Sequence, residues 1–309
     1  VRMNFGKVEI DRLKNIMISH RDAMLESNII GADFSFGNFG GKTIIFKIEP
    51  MVYYSFLTPL ENASLSIIFP MNDYLTSGTM PELAMIDFEK PSDVADEYWK
   101  YVDFLILGLS DAGVRIASGH TGRYRNIKSG VAGSIALIGF REPVFSYTKI
   151  GNHDAFYVIG KIGTEMMFFE ERMKHKRSRI GLKELSIEKY VNSLLPYGGK
   201  VHYIHDLAEG GLIRGLEEIS YLIGGGFDVS YNSVIKLIAD GIPGGKSVKL
   251  SSSSSGSIVV ALDQNFKEEF EDIARRKEWD YAEIRRSGNG VRIDGRRVRS
   301  RDLFSNVVG

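Results

Sequence analysis

The stretch from Val201 to Ile223 constrains the fold of this chain more than any other segment. An apolar run at 201–204 leads into His205-Asp206, and the Gly210-Gly211 pair follows. Beyond the glycines, apolar residues recur at the spacing of one helix face, at Leu212, Leu216, Ile219 and Ile223. The pattern predicts a strand, a tight turn and an amphipathic helix, a unit typical of layered α/β proteins.

The turn in this segment is a candidate phosphate site. A helix N-terminus presents backbone N–H groups that attract anions, and paired glycines let a ligand approach them closely. Gly210 and Gly211 stand at that position, and Asp206 and His205 lie at the same end of the strand. The sequence therefore places an acid, a histidine and an anion-binding turn together.

Composition bounds the class of protein. The chain has 309 residues, of which 43% are hydrophobic and 25% charged, as in ordinary soluble globular proteins. Its formal net charge is zero, so no overall positive field attracts nucleic acid or an anionic membrane surface. The absence of cysteine excludes disulfides, thiolate metal sites and thiol nucleophiles.

The apolar patterning argues against a membrane protein. No apolar run approaches the length that spans a bilayer, and residues 1–10 lack the apolar core of a secretory signal. The arginine-rich stretch from Arg285 to Arg301 is explained better as a solvated hairpin face than as a nucleic-acid surface, because no aromatic residue separates the arginines. We expect a cytoplasmic protein with no nucleic acid and no membrane among its partners.

Helical and extended patterns alternate along the chain. Strands are predicted at 43–48 and 51–56, joined around Pro50, and another at 114–117. A largely apolar helix is predicted at 60–77. Alternation of this kind indicates an α/β or α+β fold.

The length of the chain predicts one large or two medium domains, and the patterning favours two. The boundary is expected between Pro143 and Asn152, which gives domains at 1–148 and 149–309. Both halves carry strand and helix patterns, so each is expected to form a sheet with helices.

Three acidic residues could hold a metal. Asp73 follows Asn72 inside the predicted helix, where an ionised side chain is costly unless it is paired or lies on a solvated face. Asp33 and Glu49 lie near the ends of predicted elements. Magnesium binds few carboxylates together with phosphate oxygens and water, so these acids could serve it once the chain is folded. Lys47 could pair with phosphate, but a surface charge is the favoured interpretation.

Other polar stretches admit a structural and a functional interpretation. His120 lies between Gly119 and Gly122, directly after a predicted strand. It is either a ligand or a structural residue. The serines at 251–255 precede an apolar strand. They form either a flexible loop or a polar loop that approaches a ligand. The stretch 40–43, Gly-Gly-Lys-Thr, is similar to a phosphate loop, but a strand follows it instead of a helix, which indicates a turn.

Taken in order, several segments resemble motifs of the aminoimidazole ribonucleotide (AIR) synthase, or PurM-like, superfamily. The sequence MNDYLTSGTMP at 71–81 is similar to V-N-D-x-x-x-S-G-A-x-P, and 205–212 is similar to H-D-x-x-x-G-G-L. Gly31-Ala32-Asp33 resembles the first acidic turn of the family, and 48–50 stands in the place of its Thr-Asp-Ser motif. The stretch 118–121 resembles G-G-H-T, and 254–259 resembles S-S-G-G-L-L.

This resemblance implies a two-domain AIR synthase-like fold, in which the N-terminal sheets of a dimer join into a barrel. The C-terminal domain would be a sheet with helices, and ATP with Mg2+ would bind in the groove between the two halves. Asp33, Glu49 and Asp73 would bind the metal, and catalytic roles would fall to Asp206, His120 and His205. Contacts to the nucleotide are expected from Asn72, Gly119, Thr121, Gly210, Gly211, Ser255 and Gly256.

Three departures from the family pattern bear on function. Glu49 stands where Asp is usual, which could alter the metal geometry, and His120 stands where several members have an acid. Because the chain has no cysteine, it lacks the terminal thiol of the hydrogenase expression/formation branch, which it otherwise resembles most in style.

The resemblance leads us to expect an ATP- and magnesium-dependent enzyme that phosphorylates or activates a carbonyl, amide or phosphate oxygen, as in hydrogenase maturation. Its substrate would be a small molecule or a modified peptide, and the chain would form a homodimer. Two alternatives stay open. One is a non-catalytic nucleotide-binding or assembly homologue, and the other is a phosphotransferase similar to thiamine-monophosphate kinase.

Overall fold

The structure, a computed structural model that describes residues 16–300, contains two sheets with helices packed against them. The predicted α/β class with two sheet-containing parts is confirmed. The last strand of the first sheet ends at Gly139 and the second sheet begins at Ala155, so the predicted boundary at 148/149 falls between them. Within residues 16–300, no helix combines the length and the apolar character needed to cross a bilayer.

The first sheet has the strand order β1-β2-β5-β3-β4. β3 and β4 run parallel, and the other neighbours are antiparallel. The strands are β1 (Ser35–Phe39), β2 (Lys42–Tyr53), β3 (Leu83–Glu89), β4 (Arg115–Gly122) and β5 (Gly130–Gly139). Two helices, α1 (Pro59–Leu75) and α2 (Tyr98–Asp111), complete this core, whose buried side chains include Ile45, Tyr74, Leu105, Ile135 and Leu137.

Helix α1 begins at Pro59 because Thr58 caps it. The Thr58 hydroxyl accepts the Glu61 N–H at 3.2 Å, and the Glu61 carboxylate accepts the Thr58 N–H at 2.9 Å. Proline fits the first helical position because that position needs no N–H donor. The helix predicted at 60–77 is confirmed, with ends shifted by at most two residues.

Strand β2 is continuous, so the predicted division into strands at 43–48 and 51–56 is wrong. Its register with β5 shifts between Pro50 and Val52. This bulge accommodates a proline, which has no N–H for the ladder, without ending the strand.

The hairpin between β1 and β2 turns at Gly40-Gly41. Their φ angles, 59° and 79°, lie in the left-handed region that favours glycine. The prediction of a turn instead of a phosphate loop is confirmed, because a strand follows directly.

The helix-covered face of the first sheet contains two charged side chains. Lys47 pairs with Leu137 and Glu49 pairs with Ile135 across β2 and β5, and paired residues project from the same face. Leu137 and Ile135 are fully buried. Lys47 and Glu49 therefore point towards the helices and away from the open side.

The opposite face of the first sheet is apolar and open. Ile48 exposes 64% of its surface and Met85 exposes 45%, and both pair with Ala136 in one row across three strands. We call the row Ile48, Ala136 and Met85 the open face. Its apolar side chains alternate along the strands with the inward-facing set, which reverses the usual polar-out pattern of a half-covered sheet.

The second sheet has the strand order β12-β11-β8-β10-β6-β9-β7. Its strands are β6 (Ala155–Ile159), β7 (Val201–Leu207), β8 (Gly226–Val229), β9 (Ser257–Leu262), β10 (Tyr281–Ser287), β11 (Gly290–Ile293) and β12 (Arg296–Arg297). The helices of this part are α3 (Thr164–Met173), α4 (Glu188–Leu194), α5 (Gly211–Ile223), α6 (Tyr231–Val234), α7 (Lys246–Leu250) and α8 (Lys267–Arg276). β6 and β9 are buried along their whole length, as expected for strands in the middle of a covered sheet.

The strand–turn–helix predicted at 201–223 is confirmed by β7 and α5. Gly210 caps the helix with a φ of 79°, and Gly211 opens it with a φ of 55°. The predicted apolar face is fully buried at Leu212, Leu216 and Ile219. Packing of this face on the second sheet fixes the N-terminus of α5 beside the end of β7.

Candidate functional site

Asp33, His205 and Asp206 meet where the two halves of the chain join. Asp33 precedes β1, and the other two residues lie near the end of β7. The Asp206 N–H donates to Asp33 Oδ2 at 3.2 Å, and one ligand atom from each of the three side chains lies within 4.8 Å of the others. All three side chains are buried.

The ring of His205 is fixed on one side and open to a cation on the other. Nδ1 lies 2.6 Å from the Asp206 carbonyl oxygen, which can only accept, so Nδ1 donates. Nε2 lies 3.5 Å from oxygens of Asp33 and Glu218 and, within residues 16–300, makes no hydrogen bond. In the neutral ring, Nε2 turns a lone pair towards two carboxylates, an arrangement that a cation between them would stabilise.

The pKa of Asp33 reflects this setting. Burial raises the pKa of its carboxyl from 3.8 to about 6. The charges of His205 and Lys47 act to lower this pKa, and those of Asp73 and Glu218 act to raise it. Charged groups from β2, α1, β7 and α5 therefore act on one carboxyl and form a single cluster.

Lys47 binds two of the three predicted metal ligands. Its ammonium lies 2.7 Å from Glu49 Oε1 and forms an ion pair with Asp73 as well. Asp73 reaches the strand from the last turn of α1. The solvated-face alternative for Asp73 is excluded, because its side chain is only 14% exposed and pairs with Lys47.

The three charges of this group shift one another's pKa. Burial, followed by the Asp73 charge, raises the pKa of Glu49 to about 7, and the Lys47 charge opposes that rise. Burial alone would lower the pKa of Lys47, but the two carboxylates raise it well above its ordinary range. The two carboxylates therefore favour the charged form of Lys47, and burial keeps the pKa of Glu49 above its ordinary range.

The two groups of acids fit a divalent cation unequally. Asp33 and Asp206 offer carboxylate oxygens beside the unpartnered His205 Nε2, which fits a small cation that completes its shell with water and phosphate. Glu49 and Asp73 already share the ammonium of Lys47. Metal binding by Glu49 and Asp73 stays a prediction, because a metal ion would have to compete with the ammonium of Lys47 for both carboxylates.

The glycine turn packs tightly on the serine run. A Cβ on Gly211 would lie 2.4 Å from the Ser252 carbonyl oxygen, so the close approach requires glycine. The Ser254 N–H donates to the Ala208 carbonyl at 3.2 Å. The five serines are buried, at most 2% exposed, so the flexible-loop alternative is excluded. Contact of Gly210 and Gly211 with phosphate stays a prediction.

Ser255 and Gly256 also have roles in the fold. The Ser255 hydroxyl donates to the buried Glu165 carboxylate at 2.7 Å. Gly256 has a φ of 90°, and a Cβ there would lie 1.9 Å from the Glu184 carbonyl oxygen. Their predicted nucleotide contact is not needed to explain these residues, although they lie on the same loop as the residues that pack on the glycine turn.

Asn72 joins the two halves of the chain. Its Nδ2 donates to the Leu185 carbonyl at 2.8 Å, and its Oδ1 accepts the Ile187 N–H at 3.1 Å. The side chain is 1% exposed. Both the nitrogen and the oxygen of the amide thus form hydrogen bonds with the second half of the chain, and these bonds fix the position of the neighbouring Asp73. A contact between Asn72 and a nucleotide stays a prediction.

Gly119, His120 and Thr121 lie within strand β4, so the predicted strand end at 117 is wrong. Parallel pairing with β3 extends β4 to Gly122. All three residues are exposed on this edge strand, which is separated from β2 by β5 and β3, or about 14 Å of sheet. Within one chain the structure does not bring them to Lys47, and their catalytic and nucleotide-binding roles stay predictions.

Sequence reasoning missed the importance of Lys47 and of Glu218. The expectation that Lys47 is a surface charge is wrong, since its side chain is 14% exposed. The alternation of Ile45, Lys47 and Glu49 along one strand gave a usable signal, because Ile45 is fully buried on the same face. Glu218 gave no such signal: it pairs with Arg214 at 2.9 Å and faces His205 only through the packing of α5.

No protein-family model matches the chain. The PurL subunit of phosphoribosylformylglycinamidine synthase from Renibacterium salmoninarum is 27% identical over 252 residues, which cover 75% of this chain and 32% of PurL. A second PurL, from Alkaliphilus metalliredigens, is matched over 27% of its length, so the chain spans less than a third of these curated relatives.

Solved structures share the fold over nearly the whole chain. AaThiL complexed with AMPPCP and TMP has a TM-score of 0.67 at 16% identity, covering 96% of this chain and 97% of that one. HypE, a hydrogenase maturation protein from E. coli, has a TM-score of 0.66 at 20% identity over 84% of each chain. The chain therefore has the AIR synthase-like fold that its motifs implied.

Proposed function

We propose that this chain binds ATP with a divalent cation at the junction of its two sheets and uses the nucleotide to phosphorylate or activate an oxygen of a small substrate. The observation that carries this proposal is the convergence of Asp33 and Asp206 from distant parts of the sequence at a buried site, where the charge of Asp73 also acts on Asp33. A buried cluster of carboxylates is costly to fold unless cations compensate it, which is typical of sites built for charged ligands.

Asp33 and Asp206 are the residues that would hold the cation. A bound Mg2+ would neutralise charge on the phosphates, the chemistry that this ion supplies in phosphoryl transfer. The imidazole of His205, oriented by the Asp206 carbonyl, would keep the two carboxylates in place. The N-terminus of α5 at Gly210-Gly211 would present its amides to a phosphate group.

The structural neighbours support a nucleotide as the ligand. AaThiL has been solved complexed with AMPPCP and TMP, and its fold matches this chain over almost its full length. The choice of substrate oxygen remains between a carbonyl or amide, as in hydrogenase maturation, and a phosphate, as in thiamine-monophosphate kinase. The substrate itself would be a small molecule or a modified peptide.

A second candidate function is nucleotide binding without turnover. The pairing of Lys47 with Glu49 and Asp73 favours it, because two of the acids expected to bind metal are occupied by a side chain. Such a homologue would bind ATP with little need for Mg2+ and would not transfer the γ-phosphate.

We also propose that the chain forms a homodimer through the open face. Ile48 and Met85 expose apolar surface in a row on the side of the sheet away from α1 and α2. Apolar patches of this kind mark interaction surfaces in soluble proteins. A second copy of the same face offers matching chemistry, as two-fold interfaces require.

Calorimetric titration with ATP tests the main proposal, in MgCl2 and again in EDTA. The matched pair is Asp206→Asn, which keeps the backbone donor to Asp33, and Asp272→Asn, which changes an exposed acid on α8. We expect ATP binding that requires Mg2+, is weakened at least about tenfold by Asp206→Asn and is unchanged by Asp272→Asn. Absence of ATP binding by the wild-type chain would refute the proposal.

Phosphorus NMR of the same samples separates the two candidate functions. Formation of ADP, with phosphate or with a phosphorylated substrate, supports the enzyme. Binding of intact ATP with no ADP formed, even with candidate carbonyl, amide and phosphate acceptors, supports the non-catalytic homologue.

A further inference from the structure

The ammonium of Lys47 lies between the two carboxylates for which the sequence resemblance implies a metal ion. Nζ is 2.7 Å from Glu49 Oε1, and it forms a second ion pair with Asp73. The Lys47 and Asp73 side chains are each 14% exposed, so water contributes little to their solvation. The ammonium contacts both carboxylates of this acid pair.

The backbone enforces this position of the lysine. Lys47 and Glu49 are two residues apart on β2, and their partners Leu137 and Ile135 are fully buried on the helix side of the sheet. Asp73 reaches the same place from α1, whose last turn is fixed by the two hydrogen bonds of Asn72. Strand β2 and helix α1 thus bring Lys47, Glu49 and Asp73 together on the helix-covered face of the sheet.

We infer that the Lys47 ammonium takes the place of a divalent cation between Glu49 and Asp73, so that this pair binds no metal and the cation site of the chain is confined to Asp33 and Asp206. The inference deepens the proposed function, because it changes which acids hold the cation. The role of the cation in nucleotide binding rests on the proposed function. Its location does not, because metal binding can be measured without nucleotide.

The charges around Lys47 argue for this exclusion. A cation that bound Glu49 and Asp73 would have to lie beside the ammonium that already contacts both carboxylates, and like charges at that distance repel. The Asp33 group differs, since the basic atom beside its carboxyl is Nε2 of His205, which lies 3.5 Å from Asp33 Oδ1 and makes no hydrogen bond within residues 16–300.

The number of Mn2+ ions bound per chain, measured by the EPR signal of free Mn2+ without nucleotide, tests the inference. We expect Lys47→Met to bind about one Mn2+ more than the wild-type chain, because it removes the ammonium that contacts both carboxylates and leaves their oxygens for a divalent cation. Lys47→Arg keeps a cation, and Lys90→Met removes a buried lysine that pairs with Asp96 elsewhere. Both controls should bind the same number of ions as the wild type.

A second measurement decides the matter if Lys47→Met does not fold, as judged by circular dichroism. In the otherwise wild-type chain, Asp73→Asn should leave the number of bound Mn2+ ions unchanged, whereas Asp206→Asn should reduce it. A loss of bound Mn2+ in Asp73→Asn, or no gain in a folded Lys47→Met, overturns the inference. The outcome is independent of ATP turnover, so a failure of the proposed function is recognised separately by calorimetry.

Discussion

The backbone N–H of Asp206 donates a hydrogen bond of 3.2 Å to Oδ2 of Asp33, which connects β7 to the segment before β1. The other oxygen of the same carboxyl, Oδ1, lies 3.5 Å from His205 Nε2. One oxygen of Asp33 therefore accepts a backbone N–H, and the other faces His205, at the place proposed for the cation. The orientation of this carboxyl depends on both halves of the chain being folded.

Replacement of Asp33 should make stability less dependent on pH. The pKa of Asp33 is about 6 in the folded chain and 3.8 ordinarily, so the folded state binds the proton more tightly. The contribution of Asp33 to stability is then greatest below pH 3.8 and declines as pH rises through 6, by up to about 3 kcal/mol.

Urea unfolding of wild type and Asp33→Asn between pH 4 and pH 7, roughly the interval between the two pKa values, measures this effect. The variant cannot ionise at this position, and its amide oxygen can still accept the Asp206 N–H. Its stability relative to wild type should increase with pH. A pH-independent difference, such as we expect for the exposed Asp272→Asn, would contradict the assigned burial effect.

Asn72→Ala should destabilise the chain by about 2–4 kcal/mol, because the Leu185 carbonyl and the Ile187 N–H are left buried and unpaired. Asn192 is a suitable control, since it is exposed on α4 and its side chain donates to Glu188 in the preceding turn. Asn192→Ala should change stability by less than about 0.5 kcal/mol. Equal losses in denaturant melts of the two variants would show that Asn72 does not join the halves.

Gly31→Ala should destabilise the fold by about 2 kcal/mol or more, because its φ is 90° and a Cβ would lie 2.4 Å from the Glu218 carbonyl oxygen. Gly245 has a negative φ and no atom within 4 Å of an added Cβ, so Gly245→Ala should be nearly neutral. Thermal melts compare the two. Because Asp33 lies two residues beyond Gly31, the first variant should also weaken cation binding even where it remains folded.

The proposed dimer predicts a clear response to charge on the open face. We expect the wild-type chain to elute as a dimer in size-exclusion chromatography with light scattering, and Met85→Lys to elute as a monomer. Leu60→Lys is the control, since Leu60 is comparably exposed, at 52%, on α1. A wild-type monomer, or a dimer that survives Met85→Lys unchanged, would remove this interface from consideration.

Local sequence patterns were sufficient to predict the elements whose glycines and apolar periodicity lie within the element itself. The glycines at 210–211 between an apolar run and a helical stripe predicted β7 and α5, and Gly40-Gly41 predicted the hairpin turn. The extent of β4 was not predictable in this way. Its last residues are polar and rich in glycine, and only their pairing with β3, which is distant in sequence, makes them a strand.

The candidate site was predicted as a set of acids and not as a set of contacts. Asp33, Asp73 and Asp206 were identified from motif resemblance, and they do converge. Lys47 was wrongly predicted to be a surface charge, because the exposure of a strand residue depends on what packs against that face of the sheet, here α1. The serine run was likewise ambiguous, because polar composition describes both a mobile loop and a buried hydrogen-bonded turn.

The amide of Asn72 has a consequence for how such a site could operate. By clasping the backbone on either side of Ser186, it anchors the acid-bearing end of α1 to the second half of the chain. Rigid-body opening of one half against the other would have to break both of these buried hydrogen bonds. A hinge motion that carries Asp73 away from the second half therefore has an energetic cost that a movement of surface segments alone does not have.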